Sequence, residues 1–522
     1  MDRTPATALP VHLQRYIVDQ EYASYTPRDQ AVWRHILKRL RSHLDGRAHS
    51  VYLKGLDATG IDLERIPRLE TMNEKLAPLG WSVVGVRGFI PPAVFTEMQA
   101  RGVLAIAADI RSHEHIAYTP APDIVHESAG HAPIIADAAY ARYLKSAGEV
   151  GFKAIASAED RAMFEAIRNL SVVKEDPFST REDVIHAESR LSAAAASVRY
   201  VSESTRASRL YWWTAEYGMV GTLEQPKLYG AGLLSSIGEA EHCLTPAVRK
   251  VPLSLVCTTT SYDITRMQPQ LFVARDFNHL NDVLDEFRNT LAWVRGGDFG
   301  LDEALRSHTV NHLVLKKPTG DLLELSGEVN VVHRFGRETG PNLTAAVIEL
   351  GGPVMLSKQG QVTEGPRKNN AVVLVGTEKL PARGHFSFTL KSGVEVSGFV
   401  VEGHEVIDFA AWYAGQPLPV PTWAYVAIAQ SIPSVAGGPA DPATWDKHFG
   451  QLDSFTAGTS EALARTRKAE QLGANVAQAY REVAKMRDAK APDAKKLEAL
   501  RKDFKDETLL VDEIVELLER KN

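Results

Sequence analysis

Two cysteines, Cys243 and Cys257, are all that the 522-residue chain contains. That is too few for a disulfide framework or a thiolate metal cage, and it suits a reducing compartment. Basic residues are in slight deficit, 59 Lys and Arg against 65 Asp and Glu, which gives a net charge of −6. Such a chain has no basic field to hold a phosphate backbone, so nucleic acid is not an expected partner. No uncharged apolar run approaches the roughly 20 residues that span a bilayer. The first twenty residues also lack the charged start, apolar stretch and cleavage site of an export signal. A soluble, cytoplasmic protein without membrane contact is the expectation. With 44% hydrophobic and 24% charged residues, the composition excludes a disordered or collagen-like chain.

What is present divides into three zones. Residues 1–300 mix helical periods with loops carrying Pro, Gly and clustered His; over residues 28–43, Ala31, Val32, Ile36, Leu37 and Leu40 share one helical side. This zone reads as mainly helical. From 301 to 415 the pattern changes to short β-branched runs between turn residues, such as NAVVLVG and GVEVSGFVV, which predicts a small antiparallel β module. Residues 416–522 read as a linker rich in Pro and Gly, then a helical region broken near Pro492. Phe504, Val511, Ile514, Val515 and Leu518 form an apolar stripe in that region. The stripe suits either packing on the β module or self-association into a homo-oligomer.

The residues able to do chemistry cluster in PDIVHESAGHAP, which holds His126, Glu127 and His131. A zinc-protease signature needs its second His four residues after the first, where this chain has Gly130. Residues five apart lie about 140° apart around an ideal α-helix. Both rings therefore reach one ion only on a short or distorted helix, for which Asp123 supplies a cap and Gly130 and Pro133 an end. His113 and His115 form a second pair in RSHEHIAY, where the neighbouring charges favour a solvated loop. Glu216, inside the apolar run RLYWWTAEYGMVG, needs an Arg, a proton or a metal to be buried at acceptable cost. Two His and a carboxylate would make the facial triad that leaves one side of iron(II) open. KLYGAGLLSSIGEAEHCL lacks the phosphate-loop Lys and any strand signal leading into it. A tight turn at Gly230 and Gly232 is expected there, with Ser235 and Ser236 available to orient a ligand His.

These segments together resemble the iron- and tetrahydropterin-dependent aromatic amino acid hydroxylases. The resemblance rests on YTPRDQAVWRHIL, IPRLETMNEKLAPLGW, YTPAPDIVHESAGH, LYWWTAEYG, KLYGAGLLSSIGE and QPQLFVARDF, in the family order, and covers about residues 12–290. It implies a catalytic domain of that type with no animal-type regulatory domain ahead of it. It further implies Fe(II) on His126, His131 and Glu216, and a tetrahydropterin beside Phe95 and Glu127, with Glu127 also taking a catalytic role. An amino acid pocket would be lined by Arg111, which holds the substrate carboxylate, with Thr119, Pro122, Trp212, Gly232 and Ser235. The implied reaction is hydroxylation of an aromatic amino acid with O2, first of all L-phenylalanine to L-tyrosine. Tryptophan or tyrosine hydroxylation, a metal-dependent hydrolase and a non-catalytic scaffold are the competing readings.

Two departures from the family bear on these expectations. The pterin loop reads GFIPPAVF in place of a serine- and charge-containing segment, so its hydrogen bonds to the cofactor are expected to differ. Ala105 stands where a member can place a larger pocket residue, which leaves the ring selectivity open.

Overall fold

The computed structural model describes residues 8–113, 116, 122–175, 178–264, 266–450 and 473–520. Its first long helix, Pro27–Leu44, starts where the sequence signals it. Thr26 and Asp29 form a reciprocal capping box with Pro27 in the first turn. The side containing Ala31, Val32, Ile36, Leu37 and Leu40 is fully buried. The helices Ala138–Lys153, Glu203–Tyr211 and Phe277–Arg288 join it in one apolar mass, whereas Val94 and Met98 of the helix Pro92–Ala100 belong to a smaller neighbouring cluster. Two small sheets brace this region. Ser82–Val86 pairs in parallel with Val103–Ala107, and a four-stranded sheet contains Pro226–Leu228, Met219–Gly221, Gln270–Ala274 and Arg249–Pro252. A strand thus does lead into the glycine-containing KLYGAGLL segment, contrary to the expectation. At three residues it is too short to leave a β signature in the sequence.

The β region is larger than the small antiparallel module expected at 301–415. An eleven-stranded sheet runs from Val310–Lys316 to Ser431–Gly437. It is also not wholly antiparallel, since Asn370–Val375 and Ala424–Ala429 pair in parallel. The last two major strands were read as linker for physical reasons. Ala424–Ala429 is buried at every position and so shows no alternation. Ser431–Gly437 contains Pro433, which is tolerated because this strand is outermost in the sheet and its register shifts between Ser431 and Ser434.

The C-terminal helices Ala474–Asp488, Ala494–Asp503 and Thr508–Glu519 break around Pro492 as expected. They pack on Pro27–Leu44 at the other end of the chain and share its core. Of the expected stripe, Ile514 is fully buried, and the rest of the inward face is Leu509, Leu510, Glu513 and Leu517. Buried ion pairs tie this contact: Arg34 grips Glu513 through two nitrogens at 2.9 and 2.7 Å, and Arg487 reaches the same carboxylate at 3.0 Å. Lys38 meets Glu516 at 2.6 Å and Glu64 at 2.9 Å.

Burial by itself would raise the Glu516 pKa, but Lys38 and Arg487 outweigh it and hold the carboxyl at about 2 against an ordinary 4.5. A depressed carboxyl stabilises the fold above its unfolded pKa and loses that contribution as the pH falls through the folded value. Melting temperatures should therefore fall as the pH drops from about 4.5 toward about 2. Glu516→Gln should flatten that slope, and an unchanged slope in the variant would refute the assignment. Among the described residues, no helix is long and apolar enough to cross a membrane.

Candidate active site

Three side chains converge from two separate helical turns. His126 and His131 lie on Val125–His131 and Glu216 ends Trp212–Glu216, and both segments are π-helical. In a π-helix the hydrogen bonds join residues five apart, so side chains at that spacing return to one face. This is the distortion that the His126 and His131 spacing requires. Asp123 accepts from the His126 amide at 3.0 Å and so caps the turn.

The Glu216 carboxylate bridges the rings, with Oε2 at 3.1 Å from His126 Nε2 and Oε1 at 3.2 Å from His131 Nε2. Burial would raise its pKa, yet the two imidazoles outweigh that and hold it far below the ordinary carboxylate range. Among the described residues, these three are the only group whose ligand atoms all lie close enough together to hold one metal ion.

The hydrogen-bonding of the two His suits an ion. The Ser235 hydroxyl donates to the Ala231 carbonyl at 2.7 Å, and its lone pairs accept the Nδ1–H of His126 at 3.0 Å. That leaves Nε2 of His126 unprotonated, with its lone pair available to a metal ion on the side where Glu216 stands. His131 is 1% exposed. Among the described residues its Nδ1 meets no partner and its Nε2 faces carboxylate oxygens, Glu216 at 3.2 Å, an arrangement that a metal ion between ring and carboxylate would satisfy. Ser235→Ala should lower metal affinity by about 10–100-fold in competition with a chelating dye. An unchanged affinity would remove Ser235 from this role.

Glu127 follows His126, with its carboxylate 4.0 Å from His131 Nε2. Burial pushes its pKa up to about 8, with His131 opposing and Glu216 and Asp123 adding to the rise. Phe95 sits on Pro92–Ala100 and meets Tyr211 edge-on at 6.0 Å, and Tyr211 in turn lies 6.4 Å from the His131 ring. Trp212 is sandwiched, stacked on Tyr262 at 4.2 Å and tilted against Tyr217 at 4.7 Å, while its Nε1 donates to Gln268.

Arg111 is brought to the same region but is held by a carboxylate of the chain itself. Its Nε and Nη2 each donate to Asp123 at 2.8 Å, and Nη1 reaches the Ser235 carbonyl at 3.3 Å. Gly232 is buried where a Cβ would fall 2.7 Å from the Tyr217 ring, so close packing accounts for it directly. In place of the expected tight turn, Gly230 precedes a short helix, Ala231–Ser235. Pro122 is half-buried beside Asp123. Thr119 and His115 lie outside the described residues, and His113 does not join the His126, His131 and Glu216 group.

Sequence reasoning missed Tyr211, Gln99 and the second task of Asp123. Tyr211 was legible as the ring five residues before Glu216. Gln99 was legible as the polar residue one helical turn beyond Phe95.

A family model of biopterin-dependent aromatic amino acid hydroxylases matches residues 15–175 and 176–296. The phenylalanine-4-hydroxylase of Chromobacterium violaceum is 28% identical over 271 residues, covering 51% of this chain and 76% of that protein. The enzyme of the same name from Pseudomonas aeruginosa is 29% identical over 270 residues, covering 51% and 86%. A solved structure of the C. violaceum enzyme with iron(III) and 7,8-dihydrobiopterin is 25% identical. It covers 55% of this chain and 92% of its own, with a TM-score of 0.42.

Proposed function

Because the chain belongs to the biopterin-dependent aromatic amino acid hydroxylases, we propose that it hydroxylates L-phenylalanine to L-tyrosine with O2, Fe(II) and a tetrahydropterin. The observation that carries this reading is the meeting of His126, His131 and Glu216 on two π-turns, with the Glu216 carboxylate 3.1 and 3.2 Å from the two Nε2 atoms. Two neutral imidazoles and a carboxylate are the donor set of oxygen-activating iron(II), and they leave its other face open. Iron and the reduced pterin together supply the activation of O2.

The chain's own part is positioning. Ser235 and Asp123 orient His126 from its ring and from its amide, respectively. Phe95 offers the pterin a flat apolar face, and Glu127 stands beside it at the His131 side. Asp123 fixes the plane of Arg111, and a substrate carboxylate would take the second N–H of Nη1, whose other contact is the Ser235 carbonyl. Trp212, pinned between Tyr262 and Tyr217, gives the substrate ring a rigid wall together with Pro122, Gly232 and the Thr119 position. Residues 1–300 carry all these groups. Self-association through the C-terminal helices would draw on Val511 and Val515, the half-buried valines of the apolar stripe.

The test is anaerobic loading with iron(II), then addition of O2, tetrahydropterin and each aromatic amino acid in turn, with products read by mass spectrometry. A gain of one oxygen atom on phenylalanine, absent when zinc replaces iron, is the expected result. Oxygenation of tryptophan or tyrosine instead would correct the substrate. No oxygenated product despite stoichiometric iron would overturn the reading.

A further inference from the structure

The helix Pro92–Ala100 carries a second side chain toward the site besides Phe95. Gln99 follows it by four residues, so the two share a face. Gln99 is completely buried, and its Nε2 donates to the Tyr211 hydroxyl at 2.5 Å. Among the described residues, its amide oxygen has no hydrogen-bonding partner. A buried amide left half satisfied is destabilising, and an apolar residue of equal volume would avoid that cost. Packing alone therefore does not explain a glutamine here.

Its partner does. Tyr211 is the last residue of Glu203–Tyr211, directly before the π-turn that ends in Glu216. The Tyr211 ring touches the two groups that matter most: it is tilted at 38° to His131 and stands edge-on, at 83°, to Phe95. It bridges the His131 ring and the Phe95 ring, at centroid distances of 6.4 and 6.0 Å. The helix bearing Gln99 is itself docked tightly, since a Cβ on Gly148 of Ala138–Lys153 would fall 2.6 Å from the Thr96 carbonyl.

We propose that Gln99 is a positioning residue that fixes the Tyr211 ring between His131 and Phe95, and through it the spacing of pterin and iron. This rests on the hydroxylase reading above and deepens it.

The experiment compares wild type, Gln99→Met, Tyr211→Phe and the double variant in three measurements. These are melting temperature, the absorption bands of the cobalt(II)-loaded protein, and tyrosine formed per tetrahydropterin oxidised. Methionine keeps the volume and removes the amide. Gln99→Met should melt no lower than wild type, yet show altered cobalt bands and about a threefold or greater loss of product per pterin, with kcat lowered about 10-fold. Tyr211→Phe should reproduce the loss, and the double variant should add nothing to it. Unchanged cobalt bands and product ratio in Gln99→Met would overturn the proposal, as would additive effects in the double variant. Failure of wild type to oxidise pterin would instead overturn the underlying hydroxylase reading.

Discussion

Glu216→Ala is expected to strip the iron and abolish tyrosine formation. The carboxylate lies between the two imidazoles, at 3.1 and 3.2 Å from their Nε2 atoms. Its charge is also what makes a cation welcome in a site this buried, where burial opposes ionisation and the two His alone outweigh it. Alanine leaves two rings at 5.1 Å, perpendicular to each other, with one charge fewer to offset iron(II). The loss of affinity should exceed the roughly 10–100-fold typical of removing an outer hydrogen-bonding partner. Iron content after anaerobic gel filtration and product by mass spectrometry decide the matter. Retention of both iron and turnover would remove Glu216 from the ligand set.

Arg34→Met is expected to cost about 3–5 kcal/mol of stability, because it leaves the Glu513 carboxylate buried without its bidentate partner. Both side chains of this pair are 6% exposed. Arg487, at 3.0 Å, keeps one contact to Glu513 and should hold the loss toward the lower end of that range. Replacing both members, as Arg34→Met with Glu513→Leu, should recover most of it, since no unpaired charge is then left in the core. Chemical denaturation followed by near-ultraviolet circular dichroism is the measurement. A single variant that unfolds with the wild type would show that the C-terminal helices do not brace the helix Pro27–Leu44. The expected outcome makes those helices part of the fold that carries the site, because Pro27–Leu44 shares its core with the ligand-bearing turns.

Much of the site was legible in the chain itself. His126, His131 and Glu216 stand out because His and Glu in apolar surroundings are costly without a partner, and the motifs around them come in a fixed order. The helix Pro27–Leu44 was legible because its capping residues and its apolar period are local. The scarcity of cysteine settled the absence of a disulfide framework, and both thiols are buried and free.

Other features depended on partners far away in sequence, and no local pattern encodes them. Spacing alone put the His126 and His131 rings about 140° apart on an α-helix, and the π-turn that reunites them is decided by packing. Arg111 looks like a free anchor until the fold sets Asp123 against it. The strands Ala424–Ala429 and Ser431–Gly437 read as linker until the sheet supplies their neighbours, Asn370–Val375 and Val310–Lys316. The apolar stripe of the last helix announced that it would be covered, but not by what. Its cover is a helix more than four hundred residues earlier, reached through Arg34 and Glu513. Local propensity, capping and donor chemistry are properties of the chain, whereas contact across such distances exists only once the whole fold has brought the two ends together.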